Sequence, residues 1–326
     1  MMFDLGYRST QYRSKREGYM GTSLQQMFAM FPDEDACFRH VFDTRYGQSW
    51  PCPRCRKAGS WYRIRNLRRM QHPCGYGISP LGNSIFHKSQ IPLQLWFYTM
   101  LHFANSAEGV NSTFLQRHLG IASKAAFRLT TRIRIHLASL EAGRRLGGAG
   151  KSVQVKIIKV KHVRRKDKSN YPAKLIILAD SDSVSGAVVD VSRRHILSNI
   201  INDIVIGGSA LFTCCPYTHK VSSEFGLRRP LLKYIADYNI SEDAKKDGIT
   251  GFVTYFTRPF RYFYRSVDQE NLWLYFAEAL FRYNRRARSD CIFGEMIGSF
   301  PRLDSAAGIG VMRRFSRLAS NEDIWS

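Results

Sequence analysis

The sequence predicts a multidomain chain of the α+β/α/β class: a small knuckled ribbon, a helical segment, then a mixed sheet with flanking helices. Three observations predict it. Cysteine and histidine pairs stand close together at Cys52-Pro-Arg-Cys55 and His72-Pro-Cys74. From 92 to 145 the apolar residues recur at helical spacing. After the run Gly147-Gly148-Ala149-Gly150 the period falls to two, with Val153, Val155 and Ile157 alternating with Gln154 and Lys156.

Each element follows in order. Residues 1–22 are polar and basic without periodicity and read as a loose arm. The unit 23–90 begins with a short helical segment, carried by Leu24, Met27, Phe28 and Phe31 and then Cys37, Phe38, Val41 and Phe42. It continues as a ribbon of short runs broken by Gly75, Gly77, Pro80 and Gly82. In the unit 91–147, Pro92 opens a helix with Leu93, Trp96, Phe97, Met100, Leu101 and Ala104 on one side. A second helix covers about 111–118 with Phe114 and Leu115 inward. Leu119-Gly120-Ile121 turns the chain, and Ser123 is a good N-cap for a long third helix. The glycine run is read as a hinge and domain boundary. The unit 151–295 then shows three strands, a helix near Arg194–Val205, a strand at Ala210–Thr213 and helices near 251–265 and 268–287, an order that suits a mixed sheet. Residues 296–326 read as a tail.

Charge narrows the partners. The chain has 326 residues, Lys+Arg 49 against Asp+Glu 26, and a formal net charge of +23. Such a balance favours anionic partners and disfavours cationic ones. The longest apolar stretch, Ile91 to Ala104, is interrupted by Gln94 and His102 and is too short to span a bilayer, so no membrane partner is expected. No apolar leader stands at the N-terminus, and seven cysteines are an odd number for a disulfide framework. A reducing cytoplasm is the expected compartment.

Two constellations carry chemistry. Cys52, Cys55, His72 and Cys74 supply the four N/S ligands that zinc takes in a tetrahedral structural site, although the H-x-C pair is tighter than a second C-x-x-C. In the third helix Lys124, Arg128, Arg132 and His136 recur every four residues and form one stripe beside Ala125, Leu129, Ile133 and Leu137. Preceded by a short helix and a Leu-Gly turn, this reads as a helix-turn-helix facing double-stranded DNA. From 44 to 140 there are fourteen Lys or Arg and one acid, Glu108. Arg63, Arg65, Arg68 and Arg69 of the ribbon are expected to join Lys124, Arg128 and Arg132 on phosphates.

The stretches FPDEDACFRHVFDTRYGQSWPCPRC, CGYGISPLGNSIFHKSQIPLQLWFY and LQRHLGIASKAAFRL resemble the front half of bacterial insertion-sequence transposases. Gly150-Lys151 and Phe281-Arg-Tyr-Asn-Arg-Arg286 resemble later parts of that family. The resemblance implies an N-terminal zinc ribbon, a helix-turn-helix and a DDE catalytic domain of ribonuclease H-like fold. It also implies a bacterial, nucleoid-associated protein, with homo-oligomers compatible. His72 stands where the family has the first cysteine of its second knuckle.

The catalytic carboxylates are where this chain departs. Family members join phosphodiesters with two metal ions held by three carboxylates. The position implied for the first is Lys156, for the second Cys214 and for the third Thr250; Asp247 alone remains as a candidate ligand. A lysine ammonium at that point would repel divalent cations, so Mg²⁺ is not expected. The expectation is a DNA-binding relative of such transposases without strand transfer, leaning away from an enzyme. The alternatives are an active DDE transposase using Asp180 or Asp182, Asp203 and Asp247, or a structural RNA-binding protein.

Overall fold

The computed structural model describes residues 21–64, 67–106, 109–160, 163–164, 174–189, 194–213, 232–234, 248–262, 264 and 267–317. The chain begins with two helices where the sequence suggested one segment, α1 (Leu24–Met30) and α2 (Glu34–Tyr46). Pro32 and Asp33 separate them. Ser23 and Gln26 form a reciprocal capping box on α1, and Asp33 accepts the Ala36 N–H to start α2. A ribbon of β1 (Tyr62–Ile64), β2 (Arg69–Gln71) and β3 (Gly77–Ile78) follows, antiparallel throughout.

Next come α3 (Leu93–Asn105), α4 (Ser112–Leu119) and α5 (Ser123–Glu141). Asn111 caps α4, which ends on Gly120 at φ 63, a left-handed conformation that glycine adopts without a Cβ penalty. Ser123 is not the cap expected for α5. Ala122 holds that position without a side-chain bond, and Ser123 is the first helical residue. Strands this short cannot bury a face alone. The ribbon's Trp61 and Met70 instead share one core with Phe38 and Phe42 of α2 and Trp96 and Phe97 of α3.

The second half is built on a larger sheet. Its elements are β4 (Leu146–Gly147), β5 (Ser152–Lys159), β6 (Val163–Arg164), β7 (Lys174–Ala179), β8 (Val184–Val189), α6 (Arg194–Ile204), β9 (Val205–Ile206), β10 (Ala210–Thr213) and β11 (Leu232–Tyr234). After them come α7 (Ile249–Tyr262), β12 (Val267–Asp268), α8 (Leu272–Tyr283), α9 (Ile292–Ile297), α10 (Ser305–Phe315) and β13 (Ser316–Arg317). Six strands pair in the order β11-β10-β5-β7-β8-β13. β5, β7 and β8 are an antiparallel meander, whereas β10 lies parallel to β5, and β11 parallel to β10.

Both faces of the sheet are covered, which explains why β7 and β8 read as apolar runs and not as alternation. Ile200, Ile201 and Ile204 of α6 pack on Val153, Val155, Ile176 and Leu178. Phe252, Phe256, Trp273 and Phe276 pack on Leu175, Ile177 and Val188 from the other side. Gly186 lies so close to the Ile176 carbonyl that any Cβ would collide with it, and would press on the Phe276 ring.

Three expected boundaries are redrawn by packing. α5 falls wholly within the expected helical unit 91–147, yet Ile135 and Ala138 sit in the core of the sheet half. Arg134 of α5 donates to Glu278 of α8 at 2.7 Å, with both side chains buried. The glycine run is no loose hinge, because the Gly147 N–H donates to Asp180 and the Gly148 N–H to Ser209. Residues 296–317 are not a tail. Phe300 joins the front core, the Leu303 N–H donates to the Asn83 carbonyl, and β13 pairs with β8. Apolar residues at Ile297, Phe300, Met312 and Phe315 drive this return.

Candidate functional site

Two tight turns face each other across the ribbon. In the first, the Arg56 N–H donates to the Cys52 carbonyl and the Cys52 N–H to the Lys57 carbonyl. In the second, the His72 N–H donates to the Tyr76 carbonyl and the Gly75 N–H to the His72 carbonyl, with Gly75 at φ 83. These turns bring Cys52, Cys55, His72 and Cys74 together, and their ligand atoms all lie within 4.8 Å of one another. The Cys52 and Cys74 sulfurs are 3.5 Å apart, too far for a disulfide. His72 Nδ1 lies 3.4 Å from the Cys55 sulfur and 3.3 Å from that of Cys74.

These separations test the fit of a metal. A tetrahedron with zinc–sulfur bonds of about 2.3 Å and zinc–nitrogen bonds of about 2.0 Å has edges of about 3.5–3.8 Å. The three edges Cys52–Cys74, Cys55–His72 and His72–Cys74 agree to within a few tenths of an ångström. Among the described residues this is the one group of three or more His, Cys, Asp or Glu side chains that could hold an ion. Burial of Cys52 disfavours its thiolate. The N–H groups of Cys55 and Arg54, together with the Cys74 and Cys55 thiols, outweigh that burial and hold the thiol below its ordinary value. Nδ1 is the histidine atom facing the sulfurs, so Nε2 carries the proton; it is buried and has no partner. Trp61 meets His72 edge-on at 5.3 Å and stacks on Trp50 at 5.0 Å, which fixes the ring.

The expected DNA-facing residues divide into two groups. Lys124 and Arg128 are exposed on the first half of α5, and Arg69 is exposed on β2. Arg63, Arg68 and Arg132 turn inward. Arg63 pairs with Asp35 and lies over the Phe38 ring at 4.7 Å. Arg68 donates to the carbonyls of Ser89 and Ile91 and to Glu34. Arg132 donates to the carbonyls of His87 at 2.6 Å and Ile85 at 3.2 Å. His136 departs furthest from the basic stripe, being wholly buried. Its Nε2–H donates to the Met296 carbonyl, and desolvation pushes its pKa down to about 4, so it is neutral. Arg65 lies outside the described residues.

Among the described residues, the positions implied for catalysis do not gather carboxylates. Lys156 is half-buried on β5, opposite Ile177 of β7. The parallel register Thr213↔Val155 brings the end of β10 to the level just before Lys156. Thr250 is exposed in the first turn of α7. Cys214 and Asp247 lie outside the described residues. Asp180 is at the other end of the sheet, since its neighbour Ala179 pairs with Gln154 near the start of β5. Burial raises the Asp180 pKa, but the N–H groups of Gly147, Asp182 and Ser183 override it and hold the carboxyl below its usual range. Both oxygens thereby accept from backbone N–H groups.

Sequence reasoning matched Phe281-Arg-Tyr-Asn-Arg-Arg286 without giving it a role. Here it is a clamp: Asn284 accepts the Val184 N–H and donates to the Val184 carbonyl and to Glu141. Arg285 joins Glu141 to Glu295. Arg144 also pairs with Glu141, and together these bonds hold that buried carboxyl below its ordinary value despite desolvation. A basic run around one interior acid, Glu141, was the available signal.

Comparison with known proteins adds no identity. No protein-family model, curated protein or solved structure matches this chain. Among the described residues no helix is long and apolar enough to cross a membrane.

Proposed function

We propose that this is a zinc-organised, double-stranded-DNA-binding protein related to insertion-sequence transposases, which recognises duplex without cutting it. Cys52, Cys55, His72 and Cys74 hold the zinc, and its contribution is a cross-link that the two- and three-residue strands need in order to stay paired. Lys124 and Arg128 of α5 and Arg69 of the ribbon contact phosphates; Arg63, Arg68 and Arg132 hold the shape of that face.

Lys156 carries the non-catalytic reading. An ammonium stands where β5 and β10 run side by side, and no acid occurs between Asp203 and Glu224. The order of the sheet, a three-stranded meander followed by α6 and parallel β10 and β11, supports a ribonuclease H-like scaffold. The use of Asp180 on backbone N–H groups counts against it as a metal ligand.

The test is a fluorescence-anisotropy titration of a labelled random duplex at several salt concentrations, with single-stranded RNA as competitor. Binding that weakens steeply with salt and resists the RNA supports the reading. Preference for RNA, or no duplex binding at low salt, refutes it.

A further inference from the structure

The link between ribbon and α3, residues 80–91, has no helix or strand, yet three arginines from three elements take up its carbonyls. Arg45 of α2 donates to Pro80 and to Gly82, the latter at 2.7 Å. Arg132 of α5 donates to Ile85 and His87. Arg68, just before β2, donates to Ser89 and to Ile91 at 2.9 Å. A chain segment without a sheet partner must place its backbone acceptors somewhere, and here six of them go to guanidinium groups. Their charge is drawn beneath the segment: Arg45 and Arg132 are half-buried, and burial depresses the pKa of both.

The outward side has a different character. His87 and Lys88 are exposed, and Lys88 is held at φ 54, a left-handed conformation that costs a lysine about 1 kcal/mol or more. Strain of this kind persists only where the surroundings impose it. The Asn83 N–H donates to His87 Nδ1 at 3.3 Å, which leaves Nε2 of this exposed ring as its donor atom. Arg128 and Lys124 lie one and two turns before Arg132 on the same line of α5, and both are exposed. Among the described residues neither these two nor Lys88 forms an ion pair.

We infer that residues 80–91 form an arginine-backed strap whose His87 and Lys88, continued by Arg128 and Lys124, grip the phosphates of one strand of a DNA duplex. Arg132 and Arg68 are positioning residues for this grip and do not themselves touch the phosphates. The inference rests on the DNA reading above and specifies which cations make the contact.

The experiment compares full-length, zinc-loaded variants on a random duplex across a salt series, together with hydrogen exchange on the free protein. Lys88→Ala and Arg128→Ala each reduce the slope of log K against log salt by about 0.9, the loss of one phosphate contact. Arg128→Lys keeps its charge and binds within about twofold of the parent. Arg132→Lys also keeps its charge, but weakens binding about tenfold or more and raises exchange at 84–91 while the sheet amides stay protected. If Arg132→Lys binds like Arg128→Lys, or Lys88→Ala leaves the slope unchanged, the strap is not the contact and the inference falls, with duplex binding itself left standing. A parent protein that fails to bind duplex at all refutes the function proposed above and this inference with it.

Discussion

The ribbon and the six-stranded sheet solve the same problem by different means. β7 and β8 bury nearly every residue between helices on both faces, so apolar contact backs their hydrogen-bonded ladders. The ribbon strands are two or three residues long, and their burial is partial. Beside the core contacts of Trp61 and Met70, directional groups fasten this region: Cys52, Cys55, His72 and Cys74 converge, Arg39 donates to the Trp61 carbonyl, and Arg45, Arg68 and Arg132 donate to carbonyls of the following 80–91 link. A region fastened by ligands and hydrogen bonds can present cations and polar backbone outward, as a region fastened by buried area cannot. It also fails differently, and the predictions use that difference.

Metal removal should have the largest effect. Structural zinc contributes about 10 kcal/mol or more in small modules. Chelation, or Cys55→Ser, should therefore melt the ribbon, seen in near-ultraviolet circular dichroism of Trp50 and Trp61, while amides of β7 and β8 stay protected from exchange. Uniform loss of protection would show that the two regions are not separately held.

Next is the junction between them. Glu278→Ala leaves the guanidinium of Arg134 buried without its acid, and breaking such a pair costs about 3–5 kcal/mol. Because α5 belongs to both cores, denaturant curves followed by tryptophan fluorescence and by far-ultraviolet dichroism should shift together. A shift in one signal alone would contradict a shared helix.

Acid should act on the same junction through His136. Its folded-state pKa, about 4, lies below the unfolded value near 6.5, so the unfolded chain binds more protons between those values. The stability linked to neutral His136 is fully present above pH 6.5 and is lost as pH falls toward 4, roughly 3 kcal/mol across that window. His40, also depressed by burial, adds in the same direction. Thermal melts of His136→Gln should show a flatter pH dependence from 6.5 to 4; an unchanged profile would mean other groups dominate. The smallest effect is expected at Asp180→Ala, about 1 kcal/mol in a urea titration, since this carboxylate is partly solvated although it accepts three N–H groups.

Legibility followed the same division. Val153, Val155, the Leu175–Leu178 run and Ala187–Val189 were readable as strands because burial leaves a period or an apolar block in the sequence. The cluster of Cys52, Cys55, His72 and Cys74 was readable because side-chain identity and spacing are the signal. The roles of Arg63, Arg68 and Arg132 were not: two of the three bond to backbone carbonyls, which look alike at every position. His136 looked like part of a cationic stripe because its cover comes from Met296 and Phe300, 160 residues or more along the chain. The same distance hid the return of residues 296–317 onto the front core.

The central claim is that cations for gripping DNA are present while carboxylates for seating divalent ions are not. Incubating the zinc-loaded protein with end-labelled duplex pools and Mn²⁺ tests it most directly, with products resolved on denaturing gels. The account predicts shifted complexes whose strands remain full length. Metal-dependent nicks or joined ends that disappear in Asp247→Ala would contradict it.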